Sequence, residues 1–268
     1  MYKAMPYFII VVGPAGSGKS YLTAALGEWM EDQQLSVARI NLDPAAEWLP
    51  YSPDIDVREY VDARKVMKEY NLGPNGALIA SVDMLVNYSD KIREEMEAIK
   101  PNYVIIDSPG QLELFAFRSS GPAVLETITG SDKSLTLFLV DSSFVSTAST
   151  YASMLMLSAS VYMRLKRPQL LVLTKIDMVP RSHVEKLVTW SEDMLVFQEA
   201  LINEAQHDIQ VSMLAQNLAE MLESLGLSWS PIPTSSRTGE GLDNLYAEIQ
   251  RILSGGEDFL TEEPSGRL

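Results

Sequence analysis

Short apolar runs alternate along the chain with longer stretches whose polar and apolar positions follow a helical period. Six runs have strand length and are predicted to be strands, at residues 7–12, 36–42, 103–107, 135–141, 169–174 and 230–234. Most of them are continuously apolar, which is typical of strands buried on both faces of a parallel sheet. Because helical patterns lie between them, the chain is predicted to fold as an α/β protein with right-handed crossovers.

Two intervals are longer than a crossover helix requires. Residues 56–100 contain about three helical segments around a turn at 71–76, and residues 181–225 form a long helical stretch. We interpret both as helical insertions in one domain that spans residues 1–253. Residues 254–268 are rich in Gly, Glu and Pro, which predicts a disordered tail. The Met- and Leu-rich residues 154–163 predict a buried helix or a dimer interface rather than a groove for another partner.

Composition excludes several kinds of site. The 268 residues include no cysteine, which excludes disulfides, zinc–thiolate sites and cysteine nucleophiles, and the two histidines are too few for a histidine-rich metal site. The net charge of −15 argues against direct nucleic-acid binding, because that affinity comes mainly from Lys and Arg. No apolar run approaches the roughly 20 residues of a membrane span, and no signal-peptide pattern is present. We therefore expect a cytoplasmic protein.

Residues 13–20 match the phosphate-loop pattern G-x-x-x-x-G-K-[ST] between an apolar strand and a helical pattern that begins near Tyr21. Small residues let the backbone N–H groups and the helix N-terminus point at a phosphate chain. Lys19 is expected to reach the β- and γ-phosphates, and Ser20 to ligate Mg²⁺. The predicted phosphate-binding residues are Gly13, Pro14, Ala15, Gly16, Ser17, Gly18, Lys19, Ser20 and Tyr21.

Two acidic residues follow predicted strands. Asp107 and Gly110 have the D-x-x-G spacing, in which the carboxylate reaches Mg²⁺ through water and the glycine N–H approaches the γ-phosphate. Gln111 is then a candidate for orienting the attacking water or for a switch contact. Asp43 follows the second strand, and two interpretations of it are equally supported. It either helps to hold the metal or the attacking water, or it forms an Asx turn or helix cap before Pro44.

The string Thr174-Lys175-Ile176-Asp177 indicates guanine rather than adenine. A carboxylate at Asp177 can accept hydrogen bonds from both guanine N1–H and the exocyclic amine, and adenine has no such pair of donors. The stem of Lys175 can lie along the ring plane, and Thr174 stands where Asn is commoner. A second loop follows the last strand and either presents a backbone N–H to guanine O6 or caps a helix. Its candidate residues are Ser235, Ser236 and Arg237.

With these motifs in place, the chain resembles the GPN-loop GTPases over nearly its whole length. The resemblance rests on residues 41–45, 107–113 and 174–177, and above all on Gly73-Pro74-Asn75 between the phosphate loop and the D-x-x-G string. It implies a P-loop NTPase fold of three α/β/α layers with a mostly parallel sheet, and hydrolysis of GTP to GDP with Mg²⁺.

The resemblance also implies a homodimer in which the Gly73-Pro74-Asn75 loop of one subunit reaches the nucleotide of the other. Asp43, Asn75, Gln111 and Lys19 are then the catalytic candidates, and Ser20, Asp107 and Asp43 serve the metal. The family is associated with assembly and nuclear import of RNA polymerase, so a protein client is expected. Because the sequence shows no long C-terminal extension, we expect a compact, single-domain, archaeal-like member of the family.

Three other functions are compatible with parts of this pattern. A P-loop small-molecule kinase would prefer ATP, which Asp177 disfavours. A metallochaperone GTPase would need Cys or His ligands, which are scarce here. A nucleotide-gated assembly factor, in which hydrolysis resets a protein-binding conformation, shares every motif with the GTPase interpretation. We expect the descriptions as GTPase and as assembly factor to hold together.

Overall fold

A seven-stranded parallel sheet forms the centre of the part of the chain that the structure describes. The computed structural model describes residues 6–204 and 230–255, with the isolated helical positions Met213 and Asn217. The strands are β1 (Tyr7–Val12), β2 (Val37–Asn41), β3 (Ile55–Asp56), β4 (Tyr103–Asp107), β5 (Ser134–Asp141), β6 (Gln169–Thr174) and β7 (Ile232–Pro233). Their order is β3-β2-β4-β1-β5-β6-β7, and every pairing is parallel.

Helices connect the strands and cover the sheet. They are α1 (Lys19–Asp32), α2 (Ala63–Glu69), α3 (Pro74–Met84), α4 (Ser89–Ile99), α5 (Leu112–Phe115), α6 (Ser120–Thr129), α7 (Ala148–Leu165), α8 (Arg181–Glu192), α9 (Met194–Glu204) and α10 (Leu242–Leu253). Short 3₁₀ turns lie at Val57–Glu59, Leu85–Tyr88 and Ile176–Met178. Among the described residues, no helix has the length and apolar content needed to cross a membrane.

The two faces of the sheet bury separate apolar clusters. Along β1, Phe8 and Ile10 belong to one cluster, whereas Ile9 and Val11 belong to the other, and all four side chains are fully buried. Successive side chains of a strand point to opposite faces, so a strand covered on both sides must be apolar at every position. This burial explains why the predicted strands appear as continuous apolar runs.

The six predicted strands are present, with ends that differ by up to two residues, but a seventh was missed. The short strand β3 pairs Ile55 with Ile40 and Asp56 with Asn41. A two-residue strand leaves no apolar run to detect, and the start of the predicted helical insertion at residue 56 falls on it. Three α-helices, α2 to α4, follow within the interval 56–100. Most of residues 205–229 and the tail from residue 256 lie outside the described residues, so what the sequence predicts for them stays a prediction.

The Met- and Leu-rich helix α7 has one buried side and one open side. Leu155 and Val161 belong to the core cluster. Met156 is 36% exposed and Met163 is 60% exposed. The prediction of a core helix therefore holds for one face, and a role for the exposed methionines in a dimer stays a prediction.

The carboxyl ends of the central strands lie side by side. Asp107, at the end of β4, is in register with Val11 of β1 and with Asn41 of β2. Asp141, at the end of β5, is in register with Thr174 at the end of β6. The loops that follow these strands therefore share one edge of the sheet, where ligands of open α/β sheets bind.

Candidate nucleotide site

The phosphate loop has a conformation that requires glycine at specific positions. Gly18 caps the N-terminus of α1 with a φ of 93°, in the left-handed region that glycine adopts without strain. A Cβ atom on Gly13 would lie 2.9 Å from the carbonyl oxygen of Leu139 and 2.8 Å from Ser17 Oγ. The hydroxyl of Thr174 donates to the carbonyl of Ser17 at 2.8 Å. The threonine at this position thus ties the loop directly to β6.

Lys19 lies inside the loop, with 6% of its surface exposed. Its ammonium group donates to the carbonyl oxygens of Gly13 at 2.9 Å, Pro14 at 3.0 Å and Gly110 at 3.3 Å. Burial lowers the pKa of Lys19, and the negative charges of Asp107 and other nearby carboxylates oppose that shift. A buried cation held only by neutral carbonyl groups is prepared to exchange them for an anion.

Asp107 lies at the bottom of the site and is 1% exposed. Burial raises the pKa of Asp107 to about 6, although the nearby hydroxyls of Ser20 and Tyr51 and the charge of Lys19 act in the opposite direction. The Tyr51 hydroxyl donates to Asp107 Oδ2 at 3.0 Å. Burial and the adjacent carboxylate raise the pKa of Tyr51, so this hydroxyl keeps its proton. Asp107 Oδ1 is buried and has no hydrogen-bond partner among the described residues.

Asp43 makes two backbone contacts that bear on its two interpretations. Its Oδ1 accepts from the N–H of Ala45 at 2.9 Å, which is the Asx turn. Its Oδ2 accepts from the N–H of Gly110 at 2.9 Å, across the site. The Asx turn is therefore present, and the same carboxylate also reaches the glycine predicted to approach the γ-phosphate.

A cavity of about 310 Å³ opens above the phosphate loop. Its lining residues are Gly16, Gly18, Lys19, Ser20, Tyr21, Asp43, Trp48, Pro50, Ser108, Gly110 and Lys175. A second cavity of about 230 Å³ is lined by Gly18, Tyr21, Thr174, Lys175, Asp177, Met178, Ser236 and Arg237. Gly18, Tyr21 and Lys175 line both, so the two cavities adjoin.

The second cavity has Asp177 at its wall. Asp177 is exposed, and its Oδ1 accepts from the Ser235 hydroxyl at 2.7 Å. The backbone N–H of Ser235 donates to the carbonyl of Glu240 at 2.9 Å, so it is already paired within its own loop. Ser236 and Arg237 line the cavity beside Asp177. The loop at 235–237 thus both fixes the carboxylate and forms part of the cavity wall.

Lys175 bridges the two cavities. Its ammonium group donates to the carbonyl of Gly16 at 2.7 Å and to Asp141 Oδ2 at 2.6 Å. Burial opposes ionisation of Asp141, but hydrogen bonds from Lys175 and Ser143 lower its pKa overall. The stem of Lys175 passes within about 4 Å of the position of a Cβ on Gly18. This arrangement places an extended aliphatic surface along the junction of the cavities.

Two predicted groups of residues line neither of these two cavities. Gly73, Pro74 and Asn75 are exposed; Gly73 caps the N-terminus of α3, and Pro74 and Asn75 form its first turn. None of the three lines either of the adjoining cavities in the described part of the chain. Gln111 precedes α5 and lines a separate cavity of about 210 Å³ that also includes Pro14 and Ala15. The structure therefore does not bring Asn75 or Gln111 together with Lys19 in these cavities.

The residues at the base of the phosphate cavity fit a magnesium ion. Ser20 and Asp107 offer the hard oxygen donors that Mg²⁺ prefers, and the buried, unpartnered Asp107 Oδ1 is available to a metal-bound water. Within residues 6–204 and 230–255, no three His, Cys, Asp or Glu side chains form a metal-binding group. The described residues thus do not enclose a metal ion with protein ligands alone. Mg²⁺ at nucleotides is typically coordinated by one carboxylate with a hydroxyl, waters and phosphate oxygens.

Comparison with known proteins identifies relatives over most of the chain. Residues 11–255 match a family described as "Conserved hypothetical ATP binding protein". GPN-loop GTPase 3 of Dictyostelium discoideum is 31% identical over 260 residues, which are 95% of this chain and 90% of that protein. The chain belongs to the GPN-loop GTPase family. The family expected from residues 73–75 and the nucleotide motifs is thereby confirmed.

Other relatives of this family differ in length. GPN-loop GTPase 1 of D. discoideum is 32% identical over 246 residues, which are 91% of this chain but 61% of the relative. Among solved structures, a GTPase in apo form from Pyrococcus abyssi has a TM-score of 0.82 and 27% identity, covering 93% of this chain and 98% of that one. The expected P-loop NTPase fold is confirmed. The chain spans about 60% of the length of GPN-loop GTPase 1.

Several residues of the site were not singled out from the sequence. Trp48, Pro50 and Ser108 line the phosphate cavity, Tyr51 binds Asp107, and Asp141 binds Lys175. Asp141 carries one usable signal, because it ends an apolar strand in the same manner as Asp107. The residues at 48–51 carry none, since they lie in an irregular loop without a motif.

Proposed function

We propose that the protein binds GTP with Mg²⁺ and hydrolyses it to GDP and phosphate. The observation that carries the proposal is the pair of adjoining cavities, one walled by the phosphate loop and one by Asp177. A nucleoside triphosphate needs this combination, in which an anion-binding loop and a base pocket meet at the ribose end of the phosphates.

Asp177 supports guanine as the base. Ser235 holds Asp177 Oδ1, and the carboxylate retains acceptor capacity for the two parallel donors of guanine. Adenine would present a lone pair at N1 to the same carboxylate, which is repulsive. Isothermal titration calorimetry with GTP and ATP tests this choice, and we expect GTP to bind at least 100-fold more tightly. Equal affinities would show that Asp177 does not select the base, and would favour the kinase alternative.

The chain's own groups can supply the hydrolytic step. Water attacks the γ-phosphorus while its bond to the β–γ bridging oxygen breaks, so the electron pair leaves with GDP and the water protons pass to phosphate and solvent. Lys19 neutralises negative charge on the β- and γ-phosphates, and the Gly110 N–H donates to the γ-phosphate. Ser20 would ligate a bound Mg²⁺ and Asp107 would hold one of its waters, and the ion would supply charge withdrawal from the phosphate oxygens.

The water-orienting groups are Asp43, Gln111 and Asn75 in this proposal, and Asn75 acts from a second subunit. The action of Asn75 from a second subunit is supported by the exposure of residues 73–75. In the described part of their own chain, these residues line neither of the two adjoining cavities. At the start of α3, the side-chain amide of Asn75 is exposed and can donate to a phosphate or a water outside its own chain. The protein is thus proposed to act as a homodimer, in which nucleotide state controls binding of a protein client.

Mixed dimers test whether Asn75 acts in trans. Asn75→Ala and Lys19→Ala subunits with different tags are combined, and mixed dimers are purified by both tags. Each mixed dimer holds one phosphate loop with an intact Lys19, and the facing subunit supplies an intact Asn75. We expect purified mixed dimers to hydrolyse GTP at about half the wild-type rate, because one of two symmetric sites is complete. Each variant alone should be nearly inactive.

The controls separate action in trans from action within one subunit. The matched control is Gln33→Ala, a substitution at the far end of α1. Dimers of the Gln33→Ala variant, mixed and purified in the same way, should keep full activity. If verified mixed dimers of Asn75→Ala and Lys19→Ala recover no GTP hydrolysis, either Asn75 acts within its own subunit or hydrolysis requires two intact sites. If Asn75→Ala alone hydrolyses GTP at the normal rate, the tripeptide has no catalytic part.

A further inference from the structure

The two oxygens of the Asp107 carboxylate have different environments. Oδ2 accepts a hydrogen bond from the Tyr51 hydroxyl at 3.0 Å. Oδ1 is buried and unpartnered within the described residues. A carboxylate held at one oxygen and open at the other has a defined orientation and one remaining acceptor. This asymmetry assigns separate tasks to the two oxygens.

Tyr51 belongs to the loop of residues 42–54, which connects β2 to β3 and forms one wall of the phosphate cavity through Asp43, Trp48 and Pro50. The loop is attached to the β4 exit by the backbone bond from Leu42 N–H to the Asp107 carbonyl at 2.9 Å and by two side-chain contacts. One is the Gly110 N–H bond to Asp43, and the other is the Tyr51 bond to Asp107. Tyr51 therefore connects a surface loop to a side chain that burial fixes at the end of a central strand.

We propose that Tyr51 is a positioning residue for the magnesium end of the site. Its hydroxyl fixes the Asp107 carboxylate so that Oδ1 is presented to a metal-bound water. The inference rests on the proposed magnesium-dependent binding of GTP. Partners of this outer shell typically change metal affinity by 10- to 100-fold when they are removed.

A merely structural anchor would behave differently. If Tyr51 only held the loop in place, its loss would weaken nucleotide binding equally with and without Mg²⁺, because Trp48 and Pro50 would leave the cavity in both cases. A positioning residue affects the metal-dependent part alone. The decisive quantity is therefore the Mg²⁺ concentration required for nucleotide retention, measured beside the affinity in EDTA.

The experiment compares Tyr51→Phe with the wild type in the full chain. Retention of a fluorescent GDP analogue is measured by its dissociation rate over a Mg²⁺ titration and in EDTA. We expect Tyr51→Phe to need about 10-fold more Mg²⁺ for half-maximal retention, with the EDTA affinity unchanged within about twofold. Tyr60→Phe is the matched control, because it removes a phenol–carboxylate hydrogen bond, to Glu95, away from the site. Its Mg²⁺ requirement should equal that of the wild type.

Ser20→Ala provides the reference for loss of a direct metal ligand and should raise the Mg²⁺ requirement further. A wild-type Mg²⁺ requirement in Tyr51→Phe would overturn the inference, as would an equal loss of affinity in Mg²⁺ and in EDTA. If the wild type itself retained GDP equally with and without Mg²⁺, the magnesium part of the proposed function would fail and the inference with it. The two failures are thus distinguished by the wild-type titration alone.

Discussion

The buried carboxylate of Asp107 is predicted to destabilise the nucleotide-free protein above about pH 6. Burial raises its pKa from 3.8 to about 6, so the folded state holds this proton more tightly than the unfolded chain does. The group's stabilising contribution is present below about pH 4 and is lost as the pH rises through 6. A shift of about two pKa units, at about 1.4 kcal/mol each, makes the ionised carboxylate cost roughly 3 kcal/mol at pH 8.

Asp107→Asn removes the charge and keeps an acceptor oxygen for Tyr51. We expect the nucleotide-free variant to melt about 5–10 °C above the wild type at pH 8, and its advantage in unfolding free energy to be about half as large at pH 5. Thermal and denaturant unfolding in EDTA at several pH values measure this difference. With Mg²⁺ and GDP the order should reverse, because the wild type alone gains from the metal. A variant that is no more stable than the wild type at pH 8, or an advantage independent of pH, would refute the reasoning.

Three further substitutions have expected outcomes. Lys19→Ala should abolish tight GTP binding in calorimetry, because it removes the charge held inside the phosphate loop. Asp177→Asn should lower GTP affinity at least 100-fold and raise affinity for xanthosine triphosphate, since an amide donates to the O2 of xanthine where a carboxylate accepts from the guanine amine. Asp43→Asn should reduce kcat about 100-fold or more while GTP affinity is kept, as expected for a group that orients water. A normal kcat with lower stability would show that Asp43 serves only to form the Asx turn.

Much of the fold and the phosphate loop could be predicted because their signals are local. The strand β1 is apolar at each position since both of its faces are buried, and the loop from Gly13 to Ser20 is contiguous in sequence. A pattern of this kind needs no knowledge of what the chain contacts elsewhere. The same holds for Asp107 and Asp177. Asp107 is the last residue of β4, and Asp177 ends the four-residue string that begins at the last residue of β6.

What escaped prediction depends on contacts between distant residues. Tyr51 and Asp107 are 56 residues apart, and the pairing arises because β2 and β4 are neighbours in the sheet. The β3 strand exists because Ile55 and Asp56 pair alongside β2 at the edge of the sheet, which no propensity reveals. The double contact of Asp43 has the same origin: the Asx turn with Ala45 is local and was foreseen, whereas the bond to Gly110 spans 67 residues and was not.

Two groups that would meet a phosphate, the Lys19 ammonium and the Gly110 N–H, are paired inside the protein. Lys19 is held by carbonyl oxygens and the Gly110 N–H by Asp43, so under the proposed function a nucleotide would bind here by exchanging these partners. GDP can displace the carbonyls from Lys19, but only a γ-phosphate can compete with Asp43 for the Gly110 N–H. That competition would release the Asp43 carboxylate beside the γ-phosphate, where an attacking water must lie. In the proposed function the two interpretations of Asp43 hold together, because Oδ1 would keep the Asx turn with Ala45 while Oδ2, once released from Gly110, would hold the attacking water.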